Sequence, residues 1–362
     1  MNFARRLLVR DRPLSLQILQ TVLILVVLGN GGCAPEPLSR REPQPVDIEV
    51  AEEVDLPPAS TNNREAAPPQ LVQFVRSFGQ RGWQEGKFKH PSDVTLDSRD
   101  RILVADTDNN RVQVFDRTGK FLKHLGTKGV EPGQFRKPAS LAIDSEGRII
   151  VADTTNNRVQ IFTAEDEFSF AIGSAGFGEG EFMQPGGVAV DADDQIWIMD
   201  SGNRRIQVFS PTGDYRYTVG EAGIGDGSFL QLNSVAFAND GTVYATDSLK
   251  HNVQVFDHQG EAQKTWGAFG SGLGAFATPA GLSVDEAGRL WIADSDNHRI
   301  QVLDRTHRPL FSFGEGGLAP GQFAKPATVS LGAEGVILVA DTNNHRIQVF
   351  QHQTLPKSVE QD

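Results

Sequence analysis

A segment of 47 residues recurs six times along this chain with no insertion or deletion between copies, and nothing else in the sequence constrains the fold as tightly. The pair Phe78–Gly79 returns as Leu125–Gly126, Ile172–Gly173, Val219–Gly220, Trp266–Gly267 and Phe313–Gly314. A second anchor keeps the same step. VADTDNNRVQVF, starting at Val104, returns as VADTTNNRVQIF, IMDSGNRRIQVF, ATDSLKHNVQVF, IADSDNHRIQVL and VADTNNHRIQVF.

Each copy holds four strand-like runs, as in VTLD, RILVAD, RVQVFD and KFLKHLG between Val94 and Gly126. Turn residues separate them, for example SEGR at Ser145 to Arg148 and SPTG at Ser210 to Gly213. No copy carries a helical apolar period. A four-stranded antiparallel sheet has two faces to cover, and stacking such sheets around an axis covers both, so six copies predict an all-β, six-bladed β-propeller. Phe115, Phe162, Phe209, Phe256, Leu303 and Phe350 share one repeat position and are expected to wedge between blades.

The repeat has the form P-x-x-V-x-x-D, then V-A-D, then N-R-I-Q-V-F, and over residues 71–351 it resembles the NHL-repeat family. By that family's strand order each blade starts at the proline. LVQFVRSFG, Leu71 to Gly79, is then an outer strand without a blade, and the chain ends its last copy at Gln348 to Phe350 with three strands. The N-terminal strand is therefore expected to complete the last blade beside Arg346 to Phe350 and protect its edge.

Outside the repeats, Arg5, Arg6, Arg10 and Arg12 precede an apolar stretch from Leu14 to Leu28, the pattern of an export signal. A small-residue run leads to Cys33, the only cysteine, and this resembles a bacterial lipoprotein signal in which that cysteine becomes the lipidated first residue. An uncleaved signal anchor is the other reading, since Asn30 stands where the lipoprotein pattern prefers an apolar residue. Residues 1–32 are thus read as signal, 33–70 as a Pro/Glu-rich tether too poor in apolar side chains to fold, and 352–362 as a tail. Both readings place the repeats outside the cytoplasmic membrane, at the cell envelope. One cysteine allows no internal disulfide, so packing alone must hold the domain.

The chain carries a net charge of -12, and residues 71–351 hold 26 Lys and Arg against 35 Asp and Glu, which argues against a nucleic-acid footprint. Asp106, Asp153, Asp200, Asp247, Asp294 and Asp341 occur once per copy; a catalytic acid is needed once, whereas a turn cap is needed in every blade. His251, His298 and His345 share one position in consecutive copies and suggest zinc, yet neighbouring blades hold that turn on the order of 10 Å apart, far beyond zinc–nitrogen bonds of about 2 Å. The chain also resembles peptidyl-hydroxyglycine α-amidating lyases, whose zinc-binding histidines follow the blade proline. Those positions here are Ser92, Ala139, Gly186, Asn233, Ala280 and Ala327, so that metal site is absent. It is similar, too, to the propeller of RING-type ubiquitin ligases, but a single cysteine cannot build their zinc domain.

Function should therefore sit where copies differ. On the face that collects the second-to-third turns and the links between blades, the variable positions around the channel mouth are His90, Asp93, Lys137, Gln184, Gln231, Asn233 and Lys325, a polar set suited to a protein, peptide or glycan partner. The sequence points to no cofactor and to no catalytic residue. The reading is a non-enzymatic binding or scaffold propeller anchored at the cell envelope. The alternative is a channel-centred, metal-dependent lyase or lactonase-like enzyme.

Overall fold

The structure, a computed structural model, describes residues 71–353; the signal, Cys33, the tether and the end of the tail lie outside them. Six four-stranded antiparallel sheets follow one another. Blade 1 runs outward from Pro91–Leu96 through Ile102–Asp106 and Arg111–Phe115 to Phe121–Leu125. The same order builds blade 2 (138–172), blade 3 (187–219), blade 4 (232–266) and blade 5 (279–313). Blade 6 takes Pro326–Leu331, Val336–Asp341 and Arg346–His352 from the end of the chain, and its fourth strand is Val72–Phe78. The register runs from Val72 opposite His352 to Phe78 opposite Ile347, so the expected N-terminal closure is what the chain adopts.

The middle strands are covered on both faces by neighbouring blades, which is why ILVAD, IIVAD and IWIMD are buried at every position. Outer strands see solvent and alternate, as in Tyr215–Val219. Each apolar cluster bridges two blades. Leu103, Val112 and Val114 of blade 1 meet Ile149, Val151 and Phe162 of blade 2, and Ile102, Val104 and Phe115 meet Leu338, Ala340 and Ile347 of blade 6. A second aromatic ladder, Phe88, Phe135, Phe182, Phe229, Phe276 and Phe323, comes from the links and is wholly buried. It dictates the glycine nine residues earlier: Gly126 has φ +73°, and a Cβ there would strike the ring of Phe135.

Asp106 and its five equivalents are also fully buried, and they do more than cap a turn. Asp106 accepts hydrogen bonds from Arg111 Nε (2.8 Å), Gln113 Nε2 (3.0 Å) and Asn109 Nδ2, and from the backbone N–H of Lys89 (2.8 Å), which ties the incoming link to the turn. Blade 4 reaches the same end differently. Asn252 stands in the arginine position, and Lys250 Nζ donates instead to Gly225 O (2.9 Å) and Ser228 O (2.7 Å), the carbonyls that Arg111 Nη2 takes as Gln84 O and Lys87 O in blade 1. Thr107 Oγ1 latches blade 1 to Pro138 O of blade 2 at 2.9 Å, and Thr342 Oγ1 closes the circle on Pro91 O at 2.8 Å.

Candidate functional site

The six innermost strands belong to separate sheets, so no backbone ladder joins them, and they line an axial channel. The third residue of the copies lines this gap as Asp93, Ser140, Ser234, Gly281 and Thr328, and the third copy has Gly187 at that position. A cavity of about 180 Å³ on the link side is lined by Ser92, Asn233 and small residues, and one of about 330 Å³ on the other side by Thr95, Ser283 and Ser330 among apolar neighbours. Asp93, Ser140, Ser234 and Thr328 line both, and so form the waist between them.

At this level side chains stitch one inner strand to the next. Ser140 Oγ accepts the N–H of Val188 and Ser234 Oγ that of Leu282, both at 3.3 Å. Asp93 Oδ2 accepts the N–H of Leu141 at 2.8 Å in the same way, while Oδ1 accepts that of Val94 at 2.8 Å. A serine would suffice for the stitch, so the carboxylate is surplus to architecture. It is also alone: among the described residues no other ionisable side chain lines either cavity. Burial pushes the Asp93 carboxyl up to about 6, against hydrogen bonds from Leu141, Ser140, Val94 and Thr328 that favour the charge. Asn233 adds an amide whose buried Oδ1 has no partner among the described residues.

Of the residues singled out from sequence, Asp93 and Asn233 come together in the throat, whereas His90, Lys137, Gln184, Gln231 and Lys325 line neither cavity. His90, Lys137, Gln184 and Lys325 sit on the rim in left-handed backbone, with φ of 49–53°. Their backbone N–H groups donate to the turn of the preceding blade: His90 to His345 Nδ1, Lys137 to Asn110 Oδ1, Gln184 to Asn157 Oδ1 and Lys325 to His298 Nδ1. Gln231 departs from this and donates to Asp247. His90 Nδ1 lies 2.7 Å from Asp108, and Lys325 Nζ lies 2.8 Å from Asp296. The three aligned histidines are thus acceptors between blades, the third being His251, which takes the N–H of Thr278.

The donors also test the metal-dependent alternative. Among the described residues no three His, Cys, Asp or Glu side chains converge. The throat offers one carboxylate, one amide and hydroxyls, whereas hard cations draw about six to eight oxygens with several carboxylates, and zinc draws His or Cys. This set does not fit a resident metal ion.

Segments 88–115, 135–162, 182–209, 276–303 and 323–350 match the NHL repeat. Five of the six copies thus carry the NHL repeat. The fourth copy, outside those matches, is the one in which Leu232 replaces the proline and Asn252 the arginine. Human NHL repeat-containing protein 3 is similar, at 33% identity over 98 residues, 26% of this chain and 28% of that protein. The chain covers between 5% and 28% of the length of the curated relatives it matches. Among solved structures, a gluconolactonase from Xanthomonas campestris superimposes with a TM-score of 0.58 at 14% identity, over 74% of this chain and 88% of the enzyme. A streptogramin B lyase does so with a TM-score of 0.57 at 13% identity, over 78% and 98%. At such identities the likeness is one of fold. It nonetheless corrects the expectation that the chain is not an enzyme: lactonase and lyase propellers share this fold, so neither the architecture nor the repeat argues against catalysis.

Proposed function

We propose that the NHL propeller is an enzyme of lactonase or lyase type acting in its axial channel, with Asp93 as the proton-transferring group. The observation that carries this reading is the solitary carboxyl at the waist, held at about 6 where a general base or acid works best near neutral pH. The cavities suit a small polar molecule, and the hydroxyls of Ser140, Ser234 and Thr328 with the Asn233 amide suit a hydroxylated cyclic ester. In hydrolysis of such a lactone, the Asp93 carboxylate takes a proton from water as the water oxygen bonds to the carbonyl carbon. Collapse of the tetrahedral adduct then breaks the ring C–O bond, and the leaving oxygen departs with the proton from the Asp93 carboxyl. The N-terminal reading adds that the reaction takes place in the cell envelope.

The test is proton release by the full chain against a panel of small hydroxylated γ- and δ-lactones. Turnover should rise through pH 6 and fall about 100-fold or more in Asp93→Ser. No hydrolysis above background, or full activity in the variant, refutes the assignment.

A further inference from the structure

The face on which the links emerge carries a repeated apolar feature. Trp83, Val130, Phe177, Ile224 and Leu318 occupy one repeat position at the tips of successive links and are 50–85% exposed. The remaining link has Ser271 there, but Phe269 and Leu273 flank it and are exposed in turn. None lines the channel cavities. The tips are held in place: the carbonyl of the preceding glycine accepts from the turn asparagine, as Asn109 Nδ2 to Gly82 O (2.8 Å) and Asn203 Nδ2 to Gly176 O (3.0 Å). A built ring of exposed Trp, Phe, Ile and Leu marks a contact surface.

Charge around the ring says what the partner is. Numbering the links 1 to 6 from residue 79, link 1 holds Arg81, Lys87 and Lys89 against Glu85, and link 2 holds Lys128, Arg136 and Lys137 against Glu131, a net +2 each. Link 3 holds Glu179 and Glu181, and link 4 holds Glu221 and Asp226, a net -2 each, while links 5 and 6 are neutral. The cyclic pattern is therefore two positive, two negative, two neutral. When two identical faces meet about a two-fold axis lying in their plane, the cyclic order reverses, and one choice of axis sets link 1 on link 4, link 2 on link 3 and link 5 on link 6 of the other copy. Every positive link then meets a negative one. The same operation brings Trp83 to Ile224, Val130 to Phe177, and Leu318 to Phe269 and Leu273. The neighbouring turns add Asp108, Arg204, Lys250 and Asp296, one charge each, and leave links 1 and 2 positive opposite links 4 and 3 negative.

We propose that this face pairs with the same face of a second copy of the chain, giving a two-fold dimer whose channel mouths face each other. A lipid surface fits less well, because Glu179 and Asp226 stand two residues beyond the Phe177 and Ile224 tips and would enter the headgroups with them.

Two charge-reversed forms of the full chain decide it, by sedimentation in mild detergent. Arg81, Lys128, Glu179 and Glu221 are exposed and make no side-chain hydrogen bond or ion pair among the described residues, so reversing them leaves the blades intact. Wild type should sediment at twice the chain mass. Glu179→Lys/Glu221→Lys should be monomeric, as should Arg81→Glu/Lys128→Glu, and an equimolar mixture of the two should regain the dimer. Phe177→Asp/Ile224→Asp should be monomeric and stay so when mixed with either form. A monomeric wild type, dimers of either reversed form alone, or a mixture that stays monomeric overturns the pairing. A monomeric wild type that co-sediments with phosphatidylcholine vesicles through Phe177 and Ile224 assigns the ring to lipid and overturns it equally.

Discussion

At the scale of the residue, Asp93 costs the fold stability near neutral pH. Below about 3.8, the ordinary value for an aspartic acid, folded and unfolded chains both hold its proton, so the carboxyl contributes nothing to the pH dependence. Between there and about 6 the folded state keeps a proton that the unfolded state releases, and stability falls as pH rises. Above that value the cost is complete, about 1–3 kcal/mol for a half-buried group shifted this far. Asp93→Ser reproduces the stitch that Ser140 and Ser234 make to the next inner strand, so the variant should melt a few degrees higher than wild type at pH 7.5. The gain should vanish or reverse at pH 3.5, as read by thermal unfolding at the two pH values. An unchanged melting temperature at pH 7.5 would show that the carboxylate is not strained in the throat. Sequence alone could single out Asp93, because its five equivalents are Ser, Gly or Thr. It could not separate Asp93 and Asn233 from His90, Lys137, Gln184 and Lys325, since that division depends on which positions turn into left-handed backbone just before the inner strand.

At the scale of the element, ring closure rests on one strand. Val72–Phe78 covers the edge of Arg346–His352, and Phe74 and Phe78 pack against Phe350 and against Phe88 and Phe115. Deleting residues 71–79 leaves blade 6 with three strands and an open edge, a template for pairing with other chains. The truncated protein should lose cooperative thermal unfolding or aggregate, as followed by calorimetry and light scattering; a soluble variant that unfolds in one sharp transition would contradict this closure. The strand was legible because the constant repeat step exposes a surplus outer strand at one end of the repeats and a missing one at the other. The buried ladder of Phe88, Phe135 and their equivalents was equally visible in the spacing, but its role depends on the links folding back beneath the turns. The Lys250 substitution was not legible: a lysine two residues before the expected arginine reads as divergence until its ammonium is found on the same pair of carbonyls.

At the scale of the whole molecule, two kinds of side chain close the seams between blades, and only one of them answers to acid. Blades 1 to 2 and 2 to 3 are joined on the rim by the amide oxygens of Asn110 and Asn157, whereas blades 4 to 5, 5 to 6 and 6 to 1 are joined by Nδ1 of His251, His298 and His345. A protonated imidazole has no acceptor left, so acid works against the seam that His345 closes between blades 6 and 1. For His345, burial and then repulsion from His90 lower the affinity for a proton, and burial does the same for His352 and holds His307 down at about 4. Groups depressed in this direction leave stability intact above about 6.5 and remove it as pH falls below that, because the unfolded chain takes up protons first. Asp93 works the opposite way over part of the same range and blunts the loss without reversing it. Replacing His345 by Asn, the residue that already serves in blades 1 and 2, should leave the melting temperature at pH 7.5 nearly unchanged. It should also recover about 1 kcal/mol of what wild type loses by pH 5, the worth of the one retained hydrogen bond. The slope that remains belongs to His124, His307 and His352, each depressed first by burial. Parallel melting curves for variant and wild type from pH 7.5 to 5 would show that His345 does not hold its seam.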